Sequence, residues 1–257
     1  MSSYRFTGKV LPFFKQFTMM GPIQANWKDL IDPPNVLEMQ ATLTINRGII
    51  GVLCESNLPQ TNEYDGQVHS RALDLAVAVI SSYGFAKGLG LTAVLETVVK
   101  PDGILYNIHD YHPNLEAIVT ALRAQKDGVI DVNLILQIVI SDPTVFVALT
   151  DLIQSLVMLK EAPLRCGRAV DAIRHHMAPK NDRKAGWPAI QKNLNLSEAF
   201  LKYITEASKG PRHGDVKRDT FATSQEVLKR AWIVMNRFLE FKKRGDQTLP
   251  LDEFSAL

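Results

Sequence analysis

The residues best suited to chemistry lie in two short stretches of the second half of the chain. In LRCGRAVDAIRHHM, Arg168, Asp171 and His175 recur at i, i+3 and i+7 of a helix and so share one face. Arg165 extends that face one turn upstream, and Arg174 flanks it. In KGPRHGDVKR, Arg212 and His213 follow a Gly-Pro pair. Histidine moves a proton near neutral pH, and arginine grips a phosphate at two points. Arg212 and His213 are therefore candidate catalytic residues for cleaving a phosphodiester whose own ribose 2′-hydroxyl attacks. Arg165, Arg168, Asp171, Arg174 and His175 are candidates for holding a polyanion. The same residues also suit a plainer use: an Arg168–Asp171 surface pair, a solvated His175-His176 and a helix-ending loop.

Charge supports the first use. The 257 residues hold 29 Lys plus Arg and 27 Asp plus Glu, a net of +2. Residues 160–244 alone carry a balance of +10, and the remainder −8. Such a split can mark a polyanion-binding face. Hydrophobic and charged shares of 46% and 22% exclude a disordered or collagen-like chain. Two distant cysteines, Cys54 and Cys166, read as single buried thiols rather than a disulfide. No signal-peptide pattern opens the sequence, and no apolar run reaches a membrane span, so a cytoplasmic protein without membrane contact is expected. There is no Gly-rich phosphate loop, dinucleotide fingerprint, CxxC pair, HExxH or GxSxG. No metal and no cofactor is expected. His69, His109 and His112 read as structural or connector residues.

The fold class expected to position these groups is α+β: a small antiparallel sheet with a helix, residues 1–112, followed by an all-helical bundle, residues 113–257. Ala41, Leu43 and Ile45 alternate with Thr42, Thr44 and Asn46, and Asn46-Arg47-Gly48 supplies a hairpin turn. Ile49–Cys54 is apolar on both sides and predicts a more buried strand. Tyr4–Leu11 and Leu91–Val99 read as further strands. Leu73, Ala76, Val77 and Ile80 mark a helix over 64–87, stopped by Gly88 and Gly90. In the second part, helices are expected from His112-Pro113-Asn114, over Val129–Ile140, from Asp142-Pro143 to about Glu161, and from Pro163 to about Met177. Trp187-Pro188 opens a short helix. Another is capped by Asn195 or Ser197 and ended by Gly210-Pro211. The last is started by the capping box Thr223–Glu226. The tail QTLPLDEFSAL is expected to be loosely held.

The succession PLRCGRAVDAIR, Trp187 with its short helices, SKGPRHGD and a long last helix resembles the HEPN superfamily. These are all-helical domains common in prokaryotic antiviral and toxin systems, and the resemblance covers roughly residues 141–244. It implies an RNA-binding, homodimeric protein and a metal-independent ribonuclease whose His is His213. Family members carry an Arg, then four to six residues, then that His; here Glu206, Ala207 and Ser208 occupy the window. The resemblance therefore implies either that Arg212 or Arg168 substitutes, or that the domain binds without cutting. A different class stays open beside it: a non-enzymatic interaction and assembly module. It would dimerise through its bundle and receive a protein partner at its sheet, with Val129–Ile140 and Ile49–Cys54 as contact surfaces.

Overall fold

The computed structural model describes residues 1–12, 17–32, 35–108, 114–121, 132–158, 161–178, 182–212 and 221–257. The chain divides into two compact units, Met1–His112 and Pro113–Leu257.

Among the described residues, the first unit is a six-stranded antiparallel sheet with one α-helix. Its strands are β1 (Ser2–Leu11), β2 (Ile23–Asp32), β3 (Asn35–Asn46), β4 (Ile49–Ser56), β5 (Thr92–Val99) and β6 (Leu105–Asn107), in the order β2-β3-β4-β1-β5-β6. Alternation decides which side faces inward. Ala41, Leu43 and Ile45 are buried, and Thr44 and Asn46 are exposed. The β3–β4 turn works as its composition predicts, with Arg47 and Gly48 both at positive φ. Helix α1 (Asn62–Lys87) covers the apolar face with Val68, Ala72, Leu73, Ala76 and Ile80. The Thr61 hydroxyl caps its start, and Gly88 ends it in the left-handed conformation.

Two features of this unit correct the sequence expectations. β2 and β6 are present although neither was expected. QANWKDLID is too polar to announce a strand, and it forms one because β3 pairs along it from Ile23 to Asp32. β4 is buried on one face only: Ile50, Val52 and Cys54 point in, whereas Ile49 and Leu53 are exposed.

The second unit is helical: α2 (Val132–Ser141), α3 (Pro143–Val157), α4 (Ala162–Met177), α5 (Gly186–Leu194), α6 (Glu198–Arg212) and α7 (Phe221–Lys243). Helix α4 packs on α3, α5, α6 and α7, because Cys166, Ala169, Val170 and Ile173 give it small and branched apolar residues on its inner side. Asp142 caps α3, accepting from the amides of Thr144 and Val145 with Pro143 in the first turn, as its sequence predicts.

Several expectations for this unit are corrected. No regular helix opens at Asn114; only a tight turn at Glu116–Ile118 forms among the described residues there. The amides of Thr120 and Ala121 bond instead to the Asn236 side chain, at 2.9 and 3.0 Å. Helix α6 passes through Gly210-Pro211 to Arg212, whose ion pair with Asp171 ties the last turn to α4. Helix α7 already includes Phe221, so Ser224 is a buried residue of the helix and not part of a cap. The tail is docked. Leu249 is buried, and the Leu249 and Leu257 amides donate to the Asn193 and Asn195 carbonyls. The Arg237 guanidinium donates to the carbonyls of Leu194, Asn195 and Ser255, each at 2.8 Å. Desolvation lowers the Arg237 pKa from the ordinary arginine value.

Candidate functional site

The α4 cations divide between two carboxylates. Asp151 on α3 is buried, and a buried carboxylate is costly unless paired. It draws Arg165 at 3.6 Å and Arg168 at 3.2 Å. Arg165 also pairs with Glu161 at 2.7 Å and bonds to Gln154. Asp171 draws Arg174 at 3.4 Å and, from α6, Arg212 at 2.7 Å. The expected Arg168–Asp171 pair therefore gives way to Arg168–Asp151. The single basic face becomes two clusters, one toward α3 and one toward α6.

Two glycines set the second cluster. A Cβ on Gly167 would lie 2.5 Å from Ser208 Oγ and 3.0 Å from Arg212 Nη2, and would also meet Ser208 Cβ. A Cβ on Gly186 would lie 2.5 Å from the Arg174 carbonyl oxygen and 2.8 Å from its Cγ. Their absent side chains let α6 and the start of α5 approach α4 closely, which brings Arg212 onto Asp171 and Trp187 beside Arg174. The Arg174 guanidinium sits 5.1 Å from the centre of the Trp187 ring.

A groove of about 350 Å³ opens between α4, α5 and α6. Asp171 and Arg212 stand at one part of it; Trp187, Gln191, Leu201 and Thr205 line it; Glu198, Lys202, Glu206 and Lys209 complete the lining. The last four pair along α6 itself, Lys202 with Glu198 at 2.7 Å and Lys209 with Glu206 at 2.5 Å. The structure thus brings Asp171, Arg174 and Arg212 together and sends Arg165 and Arg168 elsewhere. His175 is exposed, its Nε2 2.7 Å from Arg174 Nη2. His176 is half-buried and partnered. It bonds to Asp142 through Nδ1 at 2.8 Å and meets the Phe238 ring edge-on at 5.2 Å. His213, His109 and His112 lie outside the described residues.

Sequence reasoning missed Asp151, Gln191 and the role of Trp187. The usable signals were Gly167, mid-helix, and Gly186, just before Trp187, because a helical glycine marks a close approach.

Both cysteines are free and buried, as expected. Burial pushes each thiol up to about 12, and at Cys166 the nearby Asp151 carboxylate adds to the effect.

A sheet domain followed by a helical domain bearing this groove defines a two-domain α+β protein. Residues 4–108 match the family profile described as Domain of unknown function (DUF8168) N-terminal domain, and residues 132–243 match the corresponding C-terminal domain. Together the two cover well over half of the chain, which belongs to the DUF8168 family. No significant match to the chain was found among curated proteins or among solved structures. Among the described residues, no helix is long and apolar enough to cross a membrane.

Proposed function

We propose that the protein is an assembly module whose helical domain associates with a second copy through α2 and α3. The observation that carries this is a set of large apolar side chains that the unit leaves in solvent. Leu136 and Ile140 on α2, and Phe146, Val147, Ile153 and Val157 on α3, are 44% to 73% exposed. On α3, Phe146, Ile153 and Val157 form one stripe at i, i+7 and i+11, opposite the buried Val145, Ala148 and Leu152. Scattered exposed apolar residues are ordinary, but large ones gathered on one face of a helix mark an interaction surface.

The charge pattern selects the occupant. Residues 132–157 contain only two charged residues, Asp142 and Asp151. Both are engaged within the unit, with His176 and with Arg165 and Arg168. A charged partner finds nothing to pair with on this surface, whereas two copies meet without like-charge repulsion.

RNA binding by the basic face, with ribonuclease chemistry at Arg212 and His213, draws less support. The α4 arginines are matched by Asp151, Glu161 and Asp171. Sedimentation of the wild type and of Phe146→Lys/Ile153→Lys tests the proposal. A wild-type dimer that persists at raised salt, with a folded monomeric double variant, is the expected result. A monomeric wild type overturns it, as does an unaltered dimer in the variant. Association that needs added RNA and fades steeply with salt would favour the polyanion reading instead.

A further inference from the structure

We propose that the α4–α5–α6 groove is a binding site for a small aromatic carboxylate. This is independent of self-association, since the groove draws on different helices from the α2–α3 surface.

The argument begins with charge. Arg174 and Arg212 share the one carboxylate of Asp171, so the triad holds one positive charge in excess. Of the triad, Asp171 and Arg212 line the groove, and Arg174 stands against Trp187 and supplies the excess charge from beside it; the other ionic side chains among the described lining residues cancel in pairs along α6. A carboxylate brings one negative charge. A phosphate monoester brings about 1.5 to 2 at neutral pH and overshoots. A polyanion overshoots further. The guanidinium fork also matches a carboxylate oxygen for oxygen. Arg212 is the arginine positioned for this: it lines the groove, and its side chain is one-third exposed.

The second element is shape. Trp187 lines the same groove, its indole steadied by the Arg174 guanidinium, and Leu201 is an apolar neighbour with 2% exposure. A flat ring stacks on indole and gains from the apolar wall, whereas an aliphatic acid forgoes the stacking. The volume of about 350 Å³ falls at the small end of ligand sites, which suits a one- or two-ring molecule. The site is also built rather than incidental. Gly167 and Gly186 remove the two side chains that would hold α6 and α5 off α4.

Calorimetric titration with 1-naphthoate tests the proposal, with 1-naphthylmethanol, acetate and inorganic phosphate as comparisons. The wild type is expected to bind naphthoate saturably and each comparison at least tenfold more weakly. Arg212→Gln removes a charged hydrogen-bond donor and is expected to weaken binding roughly ten- to hundredfold. Trp187→Leu is expected to weaken it about tenfold. Arg212→Lys, which keeps the charge and loses the fork, is expected to fall between Arg212→Gln and the wild type. Circular dichroism establishes that each variant is folded. The proposal is overturned if naphthoate shows no saturable binding, or binds folded Arg212→Gln as tightly as wild type. Naphthylmethanol or phosphate binding as well as naphthoate also overturns it.

Discussion

Gly167→Ala probes the contact on which the groove depends. The added methyl would sit 2.5 Å from Ser208 Oγ and closer still to Ser208 Cβ, which follows the backbone and cannot swing aside. Ordinary carbon contact needs about 3.5 Å, so α4 and α6 must part by roughly 1 Å. Overpacking of this kind costs about 2–3 kcal/mol. Alanine returns about 1 kcal/mol of helix propensity over glycine, leaving a net loss of about 1–2 kcal/mol. The same movement draws Arg212 off Asp171, now 2.7 Å away. Urea denaturation of the wild type, Gly167→Ala, Ser208→Gly and the double variant measures the effect as a cycle. Ser208→Gly removes the opposing methylene, so it destabilises the wild type yet relieves Gly167→Ala, giving a favourable coupling of about 2 kcal/mol. A Gly167→Ala protein as stable as wild type, or strictly additive variants, would refute the close approach as the reason for this glycine.

Other consequences can be measured as directly. Arg237→Met leaves the carbonyls of Leu194, Asn195 and Ser255 without their donor. It is expected to cost at least about 2 kcal/mol and to make residues 246–257 the first site of limited proteolysis. Because burial raises the thiol pKa values of Cys54 and Cys166 to about 12, the folded state keeps both protonated where the unfolded chain releases its protons. Their contribution to stability is complete below about pH 8.5 and declines as pH rises from there toward 12. Denaturant midpoints compared at neutral pH and at about pH 10 should show the decline, and it should shrink in Cys54→Ala/Cys166→Ala. For the same reason iodoacetamide should modify neither thiol until the protein is unfolded.

What the sequence disclosed follows from the range of the forces involved. Local signals read correctly. The alternation of Ala41, Leu43 and Ile45, the Arg47-Gly48 turn, the Asp142-Pro143 start of α3 and the α1 stop at Gly88 each depend on a few neighbouring residues. The α+β class followed from them. Elements formed by distant partners did not read. β2 is polar and exists because β3 pairs with it; the 114–121 segment departs from a helix because Asn236 takes its amides; the tail is held by Arg237. The candidate site shows the same division. Placing Arg168, Asp171 and His175 on one face was sound helical geometry, and Arg212 does reach that helix. Pairing could not be read, because Asp151 lies on another helix and outbids Asp171 for Arg168.

The strand order constrains how the first domain is made. β1 is made before the other five strands of this sheet, yet it ends in the sheet's interior, with Ser2 against Ser56 on one side and Arg5 against Val99 on the other. Neither neighbour exists when it emerges. Tyr4, Phe6 and Val10 have no lasting cover until β4 and α1 follow, and the second flank stays open until β5 is synthesised. The domain therefore closes late and cooperatively during translation, around a strand that has waited longest for its partners.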